Sequence, residues 1–480
     1  MKRLPTVYLP VSSKKKSLKH QISSGIRGIF KKAAPRFELG IKDLQSSALP
    51  LGHAAVRGLS SPSTDRISEA SQALLVISNG HGEDLIALRI LEALHRLEPQ
   101  WRLKAMPLVG EGRCFQQAVD QGWLERVGPS ARLPSGGFSN QSLRGLLADL
   151  LGGLPMISMK QWVCLRQERT SVAGILAVGD LLPLLMAWTS GRPFGFVGTP
   201  KSDYTWSSGP GSSFSDRYHA LKGSEWDPWE WSLMRARRCR LVVMRDRLTA
   251  RGLRRHGVRA MAPGNPMMDG LMESTPPLAL ERCRRILLLC GSRMPEALRN
   301  FRRLLNCLIR LPSPVPLAVM AALGSTPTES DLVDTLQQLG FRRCPPPSSS
   351  LHADQCWVRG PLLLLLGSGR FERWASWAEV GVATAGTATE QLVGLGKPAL
   401  SLPGPGPQFT RGFASRQSRL LGGAVQVCAN EFELSQQLTA LLENHARRQE
   451  LGQRGRQRMG SPGGSEAIAR AVIRVLAPGG

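Results

Sequence analysis

Short apolar runs that end in small, polar turns recur along the chain and predict buried β-strands. The first run, residues 73–77, is followed by a turn reading Ser-Asn-Gly-His-Gly-Glu-Asp and then by a helical pattern with Ile86, Ile90, Leu94 and Leu97 on one face. A strand, a glycine-rich turn and a helix in this order open a parallel α/β unit.

The same opening returns in the second half of the chain. Residues 286–290 form an apolar run, Gly291-Ser-Arg293 is the turn, and residues 296–308 carry a helical pattern. The repetition predicts two similar α/β domains in tandem. Further strands are predicted at residues 175–178, 194–197, 241–244, 258–262, 315–323, 362–366, 380–384, 398–402 and 424–427.

These patterns predict an α/β protein with two Rossmann-like domains that face a central cleft. The first domain spans residues 72–272, a proline-containing linker spans 273–284, and the second domain spans 285–480. Residues 1–71 are basic and serine-rich, and we expect them to be a disordered tail or an extension from a start codon placed too far upstream. The second interpretation rests on residues 34–53, which resemble the conceptual translation of a leucine transfer-RNA gene.

Composition narrows the class of protein. Charged residues make up 20% and apolar residues 42%, so the bulk of the chain can form cores. The net charge of +26 favours anionic partners. The nine cysteines are irregularly spaced with no C-x-x-C pair, which argues against a zinc site or a disulfide framework and for a reduced, cytoplasmic protein. No apolar run is long enough to span a membrane.

The turn after the first strand is a candidate ligand site. Gly80 and Gly82 let backbone N–H groups approach an anion at a helix N-terminus, and Asn79 and Glu83 flank them. A structural alternative is that Glu83 only complements the helix dipole. The turn is not G-x-G-x-x-G, which disfavours a dinucleotide cofactor.

A second candidate site follows the strand at residues 380–384. Small residues and hydroxyls open a helix there, and they predict a diphosphate site in which a carboxylate one turn later accepts the ribose hydroxyls. The residues are Gly386, Thr387, Ala388, Thr389 and Glu390. The structural alternative is a capped helix with a dipole-complementing glutamate.

Three motifs resemble the lipid-A-disaccharide synthase family of GT-B glycosyltransferases. They are Gly291-Ser-Arg-x-x-Glu296, Gly264-Asn-Pro-x-x-Asp269, and Gly386-Thr-Ala-Thr389 with Gly396-Lys-Pro398. The resemblance implies a UDP-sugar donor held by the second domain, through residues that include Gly291, Ser292, Arg293, Glu390, Gln408 and Gln417. It also implies a lipid or glycolipid acceptor held by the first domain. The opening turn departs from that family's Gly-Glu-x-Ser-Gly-Asp pattern, which leaves the acceptor open.

Sugar transfer requires a base that takes the proton of the acceptor hydroxyl. His81 is suited by type, and Asp180 lies near the position of an essential aspartate in the resembled family. A structural role is the alternative for each. The chain has no D-x-D pair, so we expect no metal and no cofactor beyond the UDP-sugar substrate.

Tryptophans and arginines between residues 226 and 238 predict an interfacial patch. Trp226, Trp229 and Trp231 precede Arg235, Arg237 and Arg238, a composition typical of contact with an anionic membrane surface. Ordinary core is the alternative. Together the features predict a cytoplasmic glycosyltransferase, peripheral at the inner face of the membrane, with no specific nucleic-acid partner. A UDP-sugar epimerase and a non-catalytic nucleotide-sugar or lipid-binding protein remain the alternatives.

Overall fold

The computed structural model describes residues 73–129, 154–208, 213–404, 406 and 409–477. Every element described below belongs to one compact unit, which lies within residues 63–480. The predicted leading segment, residues 1–71, lies outside the described residues.

The first half of this unit is built on a seven-stranded parallel sheet. Its strand order is β3-β2-β1-β4-β5-β6-β7. The strands are β1 (Ala73–Ser78), β2 (Arg102–Pro107), β3 (Leu124–Arg126), β4 (Gly174–Gly179), β5 (Phe194–Gly198), β6 (Cys239–Met244) and β7 (Ala260–Met261). Both β1 and β4 are buried along their whole length, as expected for central parallel strands with helices on both faces.

The described residues of this half include eight helices. They are α1 (His81–Leu97), α2 (Gln116–Asp120), α3 (Leu154–Glu168), α4 (Leu181–Thr189), α5 (Tyr204–Ser207), α6 (Phe214–Lys222), α7 (Pro228–Met234) and α8 (Arg247–Arg255). Leu165 of α3, Leu184 of α4, Met234 of α7 and Leu253 of α8 share one apolar core on one face of the sheet. Helix α1 packs in a separate core on the opposite face.

The second half is built on an eight-stranded sheet with the order β10-β11-β12-β9-β8-β13-β14-β15. Its strands are β8 (Arg284–Leu289), β9 (Leu317–Leu323), β10 (Arg342–Cys344), β11 (Gln355–Arg359), β12 (Leu362–Ser368), β13 (Val380–Ala383), β14 (Ala399–Ser401) and β15 (Val425–Val427). Strands β10, β11 and β12 form an antiparallel meander at one edge, which the sequence pattern did not predict, and the other pairs are parallel.

The helices of the second half surround this sheet. They are α9 (Glu296–Ile309), α10 (Glu329–Gln338), α11 (Phe371–Trp377), α12 (Thr387–Gly394), α13 (Arg411–Leu420), α14 (Glu431–Glu443) and α15 (His445–Met459). Asn430 caps α14, because its side-chain oxygen accepts the Glu433 amide at 2.9 Å. Within the described residues, no helix combines the length and the apolar character that crossing a bilayer requires.

A final helix, α16 (Gly464–Leu476), returns to the first half. It packs against α1, and Ile468, Ala469 and Val472 are fully buried there. The core of the first half is therefore completed by a segment that follows the whole second half in sequence.

Among the parallel strands of each sheet there is one point where the strand order reverses direction. In the first sheet this point lies between β1 and β4, and in the second it lies between β8 and β13. Open α/β sheets bind ligands at the carboxyl ends of the strands beside such a point. The predicted site residues lie in the loops after these four strands. The topology therefore favours these loops as the ligand-binding region.

Candidate functional site

The glycine-rich turn after β1 is fixed by a short polar network. Gly80 has a φ of 115°, a value that favours glycine, and its carbonyl accepts the amide N–H of Asp84. Ser78 Oγ donates to Asp84 Oδ1 at 2.5 Å, and both side chains are buried. Burial raises the pKa of Asp84 to about 7. His81 is the first residue of α1, and its side chain lies outside the described part of the structure.

Asp180 and Asn79 meet across the reversal point. Asp180 follows β4 and caps α4, because its Oδ1 accepts the Leu182 amide at 3.1 Å. The same oxygen accepts Asn79 Nδ2 at 2.8 Å. Burial raises the pKa of Asp180, while these hydrogen bonds and Lys201 oppose the rise. The structure thus joins two residues that lie far apart in sequence and that were both predicted for the site.

Glu83 lies beside this pair. Gly179 has a φ of 135°, and a Cβ atom placed on it would lie 3.4 Å from Glu83 Cγ and 3.1 Å from Asn79 Cβ. Thr199, just beyond the end of β5, donates to Glu83 Oε1 over a long 3.5 Å. Burial, together with the negative charges of Asp180 and Asp84, raises the pKa of Glu83 to about 8. Three carboxyl groups therefore gather at one reversal point.

The loops after β8 and β13 lie side by side in the second half. Gly291 has a φ of 90°, and a Cβ on it would lie 3.2 Å from the Thr384 carbonyl oxygen. Ser292 is exposed and Arg293 is half-buried in this loop. Burial lowers the pKa of Arg293, although Glu296 opposes the change. An arginine stays charged under such conditions, so this loop places a cation near the reversal point.

Hydrogen bonds from two buried side chains fix the loop at Gly386. The buried side chain of Gln417 donates to the Ala385 and Gly386 carbonyls at 3.3 and 3.1 Å. Thr389 is fully buried, and its hydroxyl donates to the Ala385 carbonyl at 2.7 Å. The Thr389 hydroxyl is thus engaged by the loop, whereas we predicted it as a diphosphate contact. Thr387 and Ala388 are half-buried at the start of α12. Gln408 lies outside the described residues.

The two halves touch at these loops. A Cβ placed on Gly82 would lie 3.1 Å from the Thr387 hydroxyl oxygen. Close by, Arg245 Nη2 donates to Glu390 Oε2 at 2.8 Å, and Arg245 Nη1 donates to the Thr199 carbonyl at 3.2 Å. Burial lowers the pKa of Arg245, but its pairing with Glu390 outweighs that effect and raises it. The predicted ribose-binding carboxylate is therefore ion-paired with the first half.

Sequence reasoning missed Arg245. The signal for it was a charged residue directly after a buried strand, since β6 ends at Met244 and Arg245 is itself buried. A buried arginine requires a partner, but the sequence does not say that the partner is Glu390.

The Gly264-Asn-Pro-x-x-Asp269 motif anchors the returning helix. Asn265 Nδ2 donates to the Met459 carbonyl at 2.8 Å, and the Asp269 carboxylate accepts the Gly463 and Ser465 amides. A Cβ on Gly264 would lie 2.9 Å from Gly464 Cα. The motif that carried part of the family resemblance thus supports the connection between the halves.

A second seam joins the halves at α13. Arg416 Nη2 lies 3.0 Å from Glu225 Oε2, and Arg419 Nη2 lies 2.7 Å from Asp216 Oδ1. Arg419 Nε also donates to the Thr205 carbonyl at 3.0 Å. Together with the pair of Arg245 and Glu390, these contacts hold the two halves against each other.

The prediction of a tryptophan patch at the surface is wrong for two of its three tryptophans, because they are buried. Trp226 is fully buried and packs edge-on against Phe196, and Trp231 is buried and stacks on His256. These two rings belong to the same apolar core as Phe196 of β5. Trp229 is 53% exposed and remains at the surface.

The described residues contain no group of three or more side chains suited to hold a metal ion. The nine cysteines, all within the described ranges, are free thiols.

No protein-family model matches the sequence, and no curated protein matches it. Solved structures do share the architecture. The MnaA protein of S. aureus, solved with UDP, is 14% identical, and the alignment covers 84% of this chain and 97% of that chain with a TM-score of 0.54. UGT71G1 of Medicago truncatula, complexed with UDP-glucose, is also 14% identical. That alignment covers 85% of this chain and 99% of that chain with a TM-score of 0.51.

A Listeria monocytogenes structure named for UDP-N-acetylglucosamine 2-epimerase is 12% identical, with 84% of this chain and 96% of that chain aligned at a TM-score of 0.52. Likeness at these identities establishes the fold. The chain has the GT-B fold, and the predicted fold class of two Rossmann-like domains is confirmed. The narrower resemblance to lipid-A-disaccharide synthase stays a prediction.

Proposed function

We propose that this chain is a glycosyltransferase that moves a sugar from a UDP-sugar to a lipid-type acceptor. The observation that supports the proposal best is the meeting of the two reversal points, where Gly82 lies against Thr387. One side of this junction offers the groups that a nucleoside diphosphate needs, and the other offers carboxyl groups for proton transfer. Fold likeness to structures holding UDP or UDP-glucose adds to this argument.

On the donor side, the N-terminus of α12 and the Arg293 guanidinium would face the diphosphate. Both stabilise negative charge, which grows on the leaving UDP as the sugar is transferred. Glu390 would accept the ribose hydroxyls, while Gln417 and Thr389 keep the Gly386 loop in shape. Neither a metal nor a cofactor is part of the proposal.

On the acceptor side, His81 and Asp180 are the predicted groups for proton transfer. The hydrogen bonds from Asn79 and Leu182 orient the Asp180 carboxylate. A hydroxyl on the acceptor would enter between the turn after β1 and the end of β4, which is the ligand position typical of such sheets.

A lipid-type acceptor is supported by apolar side chains on the outer helices of the first half. Met156 and Met159 of α3, Leu185 and Trp188 of α4, and Trp229 of α7 are exposed. The net charge of +26 favours an anionic bilayer, so we propose peripheral binding at the inner face of the membrane. Vesicle sedimentation tests this point, since vesicles with anionic lipid should retain the protein and neutral vesicles should retain much less.

Donor binding is tested by calorimetry with UDP-glucose, UDP-galactose and UDP-N-acetylglucosamine. We expect one of them to bind, and Glu390→Gln to weaken its binding at least about tenfold, because hydrogen bonds to a charged group contribute roughly 1.5–3 kcal/mol each. Glu443→Gln removes an exposed carboxylate of α14 and is the control. The proposal would be contradicted if none of the three donors binds, or if Glu390→Gln binds the donor as tightly as the wild type does.

Epimerisation of the UDP-sugar is the second candidate. The adjacent carboxyl groups Glu83 and Asp180 favour it, since epimerisation needs acid–base groups beside the sugar. It predicts that NMR of the donor detects a new epimer without any acceptor. A glycolipid formed only when a lipid extract is present supports transfer instead, and binding without any turnover supports a non-catalytic role.

A further inference from the structure

Four carboxyl groups surround the junction of the two halves, and three of them are committed to structural contacts. Asp84 takes the Ser78 hydroxyl on Oδ1 at 2.5 Å, and its other carboxylate oxygen, which has no hydrogen-bond partner, is buried out of reach of a substrate. Asp180 caps α4 and holds Asn79. Glu390 is ion-paired with Arg245 at 2.8 Å. A group that must pick up a proton during a reaction needs a carboxylate oxygen that a substrate can reach and that structural contacts do not hold firmly.

Glu83 meets that requirement. Its carboxylate receives a long hydrogen bond of 3.5 Å from Thr199 and a local one from its own backbone amide, and its side chain is half-buried at the reversal point between β1 and β4. The neighbouring backbone is glycine: a Cβ on Gly80 would lie 3.9 Å from Glu83 Oε2, and one on Gly179 would lie 3.4 Å from its Cγ. Glycine at position 80 leaves Glu83 Oε2 uncovered by a neighbouring side chain on that side, whereas Gly179 lets the backbone pack closely against the Glu83 side chain.

We propose that Glu83 is the catalytic base that takes the proton of the acceptor hydroxyl. This inference rests on the proposed sugar transfer. The acceptor oxygen attacks the anomeric carbon, the bond between that carbon and the β-phosphate oxygen breaks, and UDP leaves with the bonding electron pair. The hydroxyl proton passes to the Glu83 carboxylate, and bulk water removes it in the next cycle.

The charges around Glu83 suit this role. Asp180 at the end of β4 and Asp84 on α1 are negative, and Arg245 at the end of β6 is a positive group close enough to interact with Glu83. Burial and the two aspartates bring the pKa of Glu83 to about 8, so its carboxylate is a stronger base than an exposed glutamate and still ionises near neutrality. The transfer rate should then rise with pH and level off above about pH 8.

The test compares full-length wild type with Glu83→Gln and with Glu92→Gln, which removes an exposed carboxylate of the same helix. Calorimetry measures the affinity for each UDP-sugar, and initial rates of UDP release are measured with that donor and a total lipid extract across pH. We expect Glu83→Gln to lower kcat roughly 100-fold to 10,000-fold. Its donor affinity should stay within about twofold, because Glu83 does not touch the donor groups.

Each outcome is decisive. If wild type transfers sugar and Glu83→Gln keeps its rate and pH profile, the role of Glu83 is overturned while the proposed function stands. If His81→Ala or Asp180→Asn abolishes transfer and Glu83→Gln does not, the base is one of those residues. If wild type binds no UDP-sugar, or binds one without turnover, the proposed transfer fails and the inference fails with it.

Discussion

At the scale of single residues, burial determines which side chains are available for chemistry. Trp226 and Trp231 stand next to arginines in sequence, yet both rings lie in the core, and only Trp229 of the three is largely exposed. The sequence does not distinguish the buried rings from the exposed one. A tryptophan next to an arginine is compatible both with a membrane interface and with a position at the edge of a domain. Thr389 shows the same limit: its hydroxyl was predicted for a ligand and bonds instead to its own loop.

Glu83 gives a prediction about stability as a function of pH. Its folded-state pKa of about 8 exceeds the ordinary 4.5, so the folded chain holds this proton more tightly than the unfolded chain does. The ionised carboxylate therefore destabilises the fold progressively as pH rises from 4.5 to 8. Glutamine cannot ionise, so Glu83→Gln should gain stability relative to wild type across that range.

Thermal unfolding measures this gain. The Tm of Glu83→Gln minus that of wild type should increase by roughly 1–3 °C between about pH 5 and about pH 9. Glu92→Gln controls for the loss of one charge on the same helix. A Tm difference that stays constant with pH would contradict the buried environment described for Glu83.

At the scale of elements, the sequence predicted the parallel strands and the turns after them, and it did not predict where the helices pack. Residues 73–77 and 286–290 are predicted as strands because a continuous apolar run followed by a glycine-containing turn is typical of buried parallel strands. Helix α16 has an ordinary amphipathic pattern, and nothing local indicates that its partner is α1. Likewise the pairing of Arg245 with Glu390 depends on tertiary geometry, which two distant charges do not reveal.

The start of α16 offers a test of close backbone packing. A Cβ on Gly464 would lie 2.6 Å from the backbone nitrogen of Pro266 and 2.7 Å from backbone atoms of Asn265, so Gly464→Ala must push the two segments apart. We expect it to lower the free energy of unfolding by about 1–3 kcal/mol. Urea unfolding measures the loss, and hydrogen exchange should show reduced protection in α16.

The matched control is the same substitution in open space. Gly412 lies in α13, where the nearest atom to an added Cβ is 3.9 Å away. Because alanine favours a helix over glycine by about 0.5–1 kcal/mol, Gly412→Ala should be neutral or stabilising. Equal effects at both positions would show that α16 does not pack as described.

At the scale of the whole molecule, a buried ion pair fastens one half to the other. Arg245 and Glu390 have side chains only 5% and 14% exposed. Removing one partner leaves a buried charge without compensation, so Arg245→Met or Glu390→Gln alone should cost about 3–5 kcal/mol of unfolding free energy. The double variant should recover much of this loss, since neither charge remains.

A double-mutant cycle by urea unfolding measures the coupling. The exposed pair Arg470 and Glu466, at 60% and 49% exposure, is the control and should couple by less than about 1 kcal/mol. The cycle also bears on donor binding, because a ribose held by Glu390 has to share or displace Arg245. Additive losses at Arg245 and Glu390 would contradict a direct interaction between the halves.

The return of α16 to the first half has a consequence for biosynthesis. A ribosome delivers the chain in order, so the first sheet emerges with its α1 face lacking the helix that covers it until Gly464–Leu476 has been made. Apolar surface that stays open during synthesis invites aggregation, and chaperones exist to shield it. The half that is translated first is therefore among the last to finish folding, and residues 73–272 expressed alone would lack the helix that packs on α1.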